Sequence, residues 1–196
     1  MAVLPKERPM TPEEYLAFDR ASEIKHEYYD GEIVAMTGAK KNHNLVAMST
    51  GAALYSQLRQ RPCEIYPSDM RVKTGDGQYT YPDISLVCGE SVFEDDRDDT
   101  LLNPLVIIEI LSPSTETYDR GRKFQHYRTL ASLQEYLLIA QDSVRVEHYT
   151  RQGEQWLLTD ATSLDDILTL PSVDCTLALR DVYEKVDFTT EEETPS

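Results

Sequence analysis

The sequence predicts an α/β (α+β) fold in which helices flank a central mixed β-sheet. Three observations carry that expectation. Elements run in the order helix, hairpin, helix, strands, helix, strands, which is the order of a sheet covered by helices. Residues 105–111 are apolar on both alternating faces except at Glu109, as a strand buried on both sides must be. A chain of 196 residues with 40% hydrophobic content is long enough for one real core and short for two. The expected division is a single domain over residues 1–186, followed by an acidic tail over residues 187–196.

The elements are justified in turn. Thr11, Pro12 and Glu14 make a helix start, with a hydroxyl N-cap, proline at the first helical position and glutamate closing a capping box. Two β-type runs within residues 26–36 meet at Asp30-Gly31, a dipeptide suited to a tight hairpin turn. Over residues 42–60, Leu45, Met48, Ala52, Tyr55 and Leu58 recur at three- and four-residue steps and predict one apolar helix face. Residues 63–73 read as a strand interrupted at Pro67, and Gly75-Asp76-Gly77 turns the chain into a strand over residues 79–87. The buried strand over residues 105–111 is stopped by Pro113 among Ser112, Ser114 and Thr115. Residues 119–131 read as a helix with Phe124, Tyr127 and Leu130 as its apolar stripe, weakened at Gly121. Strands over residues 135–140, 144–150 and 155–159 come next. Short β-like pieces over residues 167–179 and a turn of helix near residues 181–185 complete the order.

Charge excludes some functions. With 19 basic and 35 acidic residues the net charge is −16, which argues against coating nucleic acid through bulk charge but leaves a nuclease open. The acidic run of residues 94–99 and the tail read as solvated segments. No apolar run approaches the roughly 20 residues of a membrane span. The first residues lack a signal segment, and Cys63, Cys88 and Cys175 form no CxxC pair, so the expectation is a soluble cytoplasmic protein with buried thiols.

Two carboxylates sit where carboxylates are costly. Asp83 opens one apolar run and Glu109 is embedded in another, so each must be paired or bind a cation. If the two strands are neighbours, both acids reach one end of the sheet. Two carboxylates and a backbone carbonyl, that of Ile110, would serve a hard divalent ion such as Mg²⁺ that keeps water for its other positions. On the following helix Asp119, Lys123 and Tyr127 are spaced by four, which places Lys123 to steady developing charge; the same spacing fits an ordinary Asp119–Lys123 surface pair. For Asp83 and Glu109 the alternative is a buried carboxylate held by amides or an arginine. Arg120, Arg122, Lys123 and Arg128 are the one local gathering of positive charge, suited to a phosphate backbone. The hydroxyls at residues 112–115 lack a G-x-S-x-G elbow, and neither a glycine-rich phosphate loop nor a Cys/His cluster occurs.

Pro82-Asp83 and the strand residue Glu109 resemble the proline-aspartate and glutamate of the PD-(D/E)XK nuclease superfamily. More specifically, Tyr28-Tyr29-Asp30-Gly31-Glu32, an isolated His43, Pro82-Asp83, Pro104 with Glu109-Ile110-Leu111-Ser112-Pro113-Ser114-Thr115, then Asp119, Lys123, Tyr127 and Glu135-Tyr136 resemble the Uma-two family of bacterial restriction endonucleases. The likeness runs from Thr11 to about Tyr183. It implies a restriction-endonuclease-like core and cleavage of DNA that depends on Mg²⁺ or Mn²⁺, with Asp83 and Glu109 as metal ligands. Leu111 stands where the superfamily pattern has lysine, and Lys123 matches the family's own lysine position. Glu27, Asp119, Tyr127 and His43 are second-tier candidates. Glu27 reads equally as a strand glutamate facing water, and His43 as a capping or surface histidine. By analogy a homodimer is expected. The alternative is a nuclease fold without turnover, serving as a binding or regulatory module.

Overall fold

Helix α1 (Pro12–Ala21) begins at the expected capping box: the Glu14 N–H donates to Thr11 Oγ1 at 3.3 Å, and the Thr11 N–H donates to the Glu14 carboxylate at 3.0 Å. The hairpin follows as β1 (His26–Tyr29) and β2 (Glu32–Ala35), turned by Asp30 and Gly31 at φ of 50° and 91°. Gly31 is also required by closeness, since an added Cβ would lie 2.4 Å from that of Pro9. These coordinates come from a computed structural model that describes residues 8–188; most of the expected acidic tail lies outside the described residues.

After helix α2 (Lys41–Leu58) come β3 (Cys63–Pro67), β4 (Arg71–Lys73), β5 (Tyr79–Thr80), β6 (Ile84–Cys88), β7 (Thr100–Leu101) and β8 (Val106–Leu111). The expected helix after residue 118 is a composite: α3 (Glu116–Tyr118), a π-helical turn (Asp119–Lys123) and α4 (Phe124–Tyr127). It starts earlier than the sequence suggests and is α-helical only at its ends. The remaining elements are β9 (Glu135–Ala140), β10 (Val146–Gln152), β11 (Gln155–Ala161), β12 (Ile167–Leu170), β13 (Cys175–Ala178) and α5 (Leu179–Val182).

The strands divide between two main sheets where one was expected. A six-stranded sheet runs β11-β10-β9-β8-β6-β3 and is mixed, because β8 and β9 are parallel while its other pairs are antiparallel. A five-stranded sheet runs β2-β1-β5-β4-β7, and β12-β13 forms a separate hairpin. The expected continuous strand over residues 79–87 breaks at Tyr81-Pro82-Asp83, giving β5 to one sheet and β6 to the other. Pro82 has no N–H to give a ladder, so the crossing falls there. The run at Pro67 splits in the same way, with β3 and β4 in different sheets.

Alternate residues of β8 feed two cores. Ile108 and Ile110 pack with Val46, Leu54 and Leu58 of α2; Ile107 and Leu111 pack with Phe124, Tyr127 and Leu138 on the opposite face. Glu109 shares the parity of Ile107 and therefore faces the composite helix. The sheet is thus covered by α2 on one side and by residues 116–127 on the other.

Three expectations are corrected here. Helix α2 buries Val46, Thr50, Leu54 and Leu58, whereas Met48 is 74% and Tyr55 62% exposed. The helix carries two apolar stripes, and the expected one is largely the outer. Cys63 and Cys88 stand opposite each other in the β3–β6 register and form a disulfide, which leaves Cys175 as the free, buried cysteine among the described residues. Pairing over a separation of 25 residues is made by strand register, and it removes the reduced-thiol argument for a cytoplasmic protein. The acidic run is not simply solvated either: Arg20 bonds Asp95 and Asp99 at 2.8 and 2.7 Å, and Lys73 bonds Glu94 at 2.6 Å. Among the described residues no helix is long and apolar enough to cross a membrane.

Candidate active site

The antiparallel pairing of β6 with β8 sets Ile84 opposite Ile108, so Asp83 falls just past the end of the ladder. Its side chain continues the pattern that the backbone ends, as Asp83 Oδ2 accepts from the Ile110 N–H at 2.7 Å. In a strand the N–H and C=O of one residue face the same neighbour, which directs the Ile110 carbonyl to the Asp83 side as well. From the first turn of α2, His43 Nε2 lies 3.3 Å from the same Asp83 oxygen.

Glu109 is 3% exposed. Its Oε1 is met by Lys123 Nζ at 2.8 Å and by the Tyr127 hydroxyl, which donates at 2.7 Å. Lys123 also lies 3.1 Å from Glu27 Oε1 and 3.9 Å from Asp119 Oδ1. Glu27 is itself buried on β1, accepting from the Tyr81 N–H at 3.1 Å and from the Tyr29 hydroxyl at 3.0 Å. The water-facing alternative for Glu27 does not hold. Nor is Asp119–Lys123 a surface pair, since both residues are buried. A π-helical turn, a feature often found at functional sites, places them there.

All the singled-out side chains therefore converge: Asp83, Glu109, Lys123, Glu27, Asp119 and His43 line one cleft of about 1030 Å³, while Tyr127 lies behind Glu109. Sequence reasoning missed Tyr118 in its wall. The Tyr118 hydroxyl is buried, and its ring meets that of Tyr29 edge-on at 5.4 Å. Nothing in the local pattern marks this tyrosine, because its neighbours come from β1.

The basic group is dispersed among partners within the chain. Arg120 is bound by Glu147 and Glu116, Arg122 by Asp30 at 3.2 Å, and Arg128 lies 5.3 Å from the Phe124 ring centre. Two of the three arginines are thus committed to carboxylates distant in sequence.

Burial pushes the Glu109 carboxyl up to about 8; Lys123 pulls against that, and Asp83 and Asp119 add to it. Burial raises Asp119 too. Burial alone would lower Lys123, but Glu109 and Glu27 outweigh it and hold the ammonium charged. The fold thus keeps the Glu109 proton to about pH 8, whereas the unfolded chain releases it near pH 4.3. Stability from this group is full below the lower value and is lost as pH rises through the upper one. Melting of the metal-free protein between pH 5 and 8.5 checks this: the melting temperature should fall with rising pH more steeply than in Glu109→Gln. Equal slopes would place the dependence elsewhere.

The donor set fits a hard divalent ion. Among the described residues no donor meets Asp83 Oδ1 or Glu109 Oε2, so one oxygen of each carboxylate remains available. No three His, Cys, Asp or Glu side chains among the described residues converge to hold an ion alone.

Comparison with known proteins gives a consistent family. Two uncharacterized proteins of Synechocystis sp. (strain ATCC 27184 / PCC 6803 / Kazusa) are 36% and 39% identical over 183 and 162 residues, covering 91% and 82% of this chain and 94% and 92% of theirs. The crystal structure of a "putative nuclease belonging to DUF820" from Anabaena variabilis ATCC 29413 superposes with a TM-score of 0.75 over 89% of this chain and 98% of that one, at 23% identity. At that identity the likeness establishes the shared fold. Residues 12–180 match Uma2, described as "putative restriction endonuclease", and the chain belongs to this family.

Proposed function

We propose that the protein is a Mg²⁺- or Mn²⁺-dependent endonuclease that hydrolyses phosphodiester bonds in DNA. The observation that carries this is the convergence of Asp83, Glu109 and Lys123 at the floor of one cleft, with one unengaged oxygen on each acid. Asp83, Glu109 and the Ile110 carbonyl would hold the ion. When bound, it would lower the pKa of a water molecule and polarise the phosphodiester.

The chain's own groups account for the rest. Ile110 N–H fixes the rotamer of Asp83, and Tyr127 with Lys123 fixes that of Glu109. Lys123 sits where it stabilises negative charge developing on a phosphate beside Glu109. Its reach to Glu109 from the composite helix answers the absence of lysine at Leu111. His43, 3.3 Å from Asp83 in the cleft lining, would exchange a proton with the attacking water or the leaving oxygen. Glu27 holds Lys123 from the far side.

A plasmid nicking assay in Mg²⁺, Mn²⁺ or EDTA tests this, with wild type set against Glu109→Ala. Metal-dependent nicking is expected in the wild type, with at least a hundredfold loss in the variant while its circular dichroism is unchanged. Nicking retained by Glu109→Ala would remove the assignment.

A further inference from the structure

Helix α2 begins without a cap. Its N-cap residue Lys40 makes no side-chain capping bond and its first turn holds no acidic residue, so among the described residues the N–H groups of Lys41, Asn42 and His43 have no acceptor. Open N–H groups at the positive end of an 18-residue helix favour an anion. His43, 3.3 Å from Asp83, sets that end beside the acid cluster.

A side chain from another element points to the same place. Gln141 is 6% exposed, and its amide makes no hydrogen bond among the described residues. Leu111 and Ala140 are the last paired residues of the parallel strands β8 and β9, so Ser112 and Gln141 lie next to each other just past both ends. Gln141 keeps the parity of Leu137 and Ile139, which pack toward α2, and Ser112 keeps that of Ile110. Gln141 accordingly borders a cavity of about 310 Å³ together with Lys41 and Asn42, and it also lines the main cleft with His43 and Ser112. Asp142 and Asp187 border the smaller cavity but not the cleft, which favours an anion on the cleft side of Gln141. Buried amides are ordinarily paired, so one left open toward an uncapped helix start lacks a ligand.

Resting on the nuclease reading, we infer that the start of α2 and the Gln141 amide form a subsite for a second phosphate of the substrate, next along the strand from the one at Asp83 and Glu109. Backbone N–H groups, a helix N-terminus and a side-chain amide are donors that position a nucleic-acid backbone, and none of them is a cation. Gln141 is thereby a substrate-binding residue outside the acid cluster. The scissile bond is one flanked by a further phosphate.

The test reads binding without turnover, by titration calorimetry in Ca²⁺. The probes are thymidine phosphorylated on both hydroxyls, thymidine phosphorylated on either one alone, and inorganic phosphate. The bisphosphate is expected to bind about tenfold tighter than the better monophosphate. Gln141→Met should cut that advantage to about threefold or less without lowering the melting temperature, because an apolar side chain replaces an amide that has no partner. Lys40→Asp gives the helix the cap it lacks, so the chain's own carboxylate takes the place of the phosphate; it should abolish the advantage while the fold persists. A bisphosphate no tighter than the monophosphates, no binding of any probe, or full bisphosphate affinity in Gln141→Met would overturn the inference. So would inorganic phosphate binding as tightly as the bisphosphate, since the site would then serve the free ion. The two readings fail separately. Bisphosphate binding as expected with no plasmid nicking keeps the subsite and removes the nuclease, whereas nicking with no advantage for the bisphosphate does the reverse.

Discussion

Replacing Lys123 by methionine should destabilise the metal-free protein by about 3–5 kcal/mol at pH 8.5, the usual cost of removing one partner from a buried ion pair. Lys123 is 5% exposed and stands between Glu109 and Glu27, with Asp119 near. Without its ammonium, three buried carboxyls share one volume with no counter-charge. The loss should shrink by pH 6, since burial already favours the protonated form of Glu109 and Asp119. Mn²⁺ should raise the melting temperature of Lys123→Met by more than that of the wild type, because the ion supplies the missing positive charge. Urea unfolding at the two pH values, with and without Mn²⁺, measures all three effects. A variant as stable as the wild type at pH 8.5 would mean that the acids are not held together by this lysine.

A second large effect is expected on the far side of β1. Asp19, 1% exposed at its side chain, accepts from Arg71 at 2.7 Å, from the Tyr81 hydroxyl at 2.5 Å and from the His26 N–H at 2.8 Å. Arg71 is equally enclosed and lies over the rings of Tyr15 and Tyr81 at 5.6 and 5.3 Å. Asp19→Ala removes the closest carboxylate from a buried guanidinium and should cost about 3–5 kcal/mol. The double variant Asp19→Leu/Arg71→Met should recover much of that, since an apolar pair leaves no charge buried. Denaturant midpoints for the single and double variants decide the matter; purely additive losses would show that the two residues do not act as a pair. The Tyr81 N–H also holds Glu27, so this network steadies one edge of the cleft.

The candidate site was legible where a residue contradicted its neighbours. Asp83 and Glu109 stand out because charge inside apolar runs needs a reason, and the β6–β8 pairing brings both to one end of the sheet. Lys123 was legible through the family pattern. What stayed hidden depends on partners far along the chain. Nothing near Arg120 announces Glu147, and nothing near Arg122 announces Asp30. The Cys63–Cys88 bond likewise comes from register alone. Helix α2 misled for another reason: a helix apolar on two sides has no periodic signal that says which side meets the core. The sheet division at Pro82 was visible as a proline, but not as the place where the chain changes sheets.

The π-helical turn at residues 119–123 bears on which relatives keep this side-chain arrangement. Such a turn carries one more residue than an α-helix needs to cover the same path. Losing that residue would restore a regular helix and rotate everything before or after it by about 100°, so that Asp119 and Tyr127 could no longer face β8 together. An insertion or deletion in this short stretch therefore separates the fold from the placement of Asp119, Lys123 and Tyr127 more cleanly than most substitutions. A relative that aligns across residues 12–180 but lacks one position between Asp119 and Lys123 would keep the architecture and lose the alignment of its helix with Glu109.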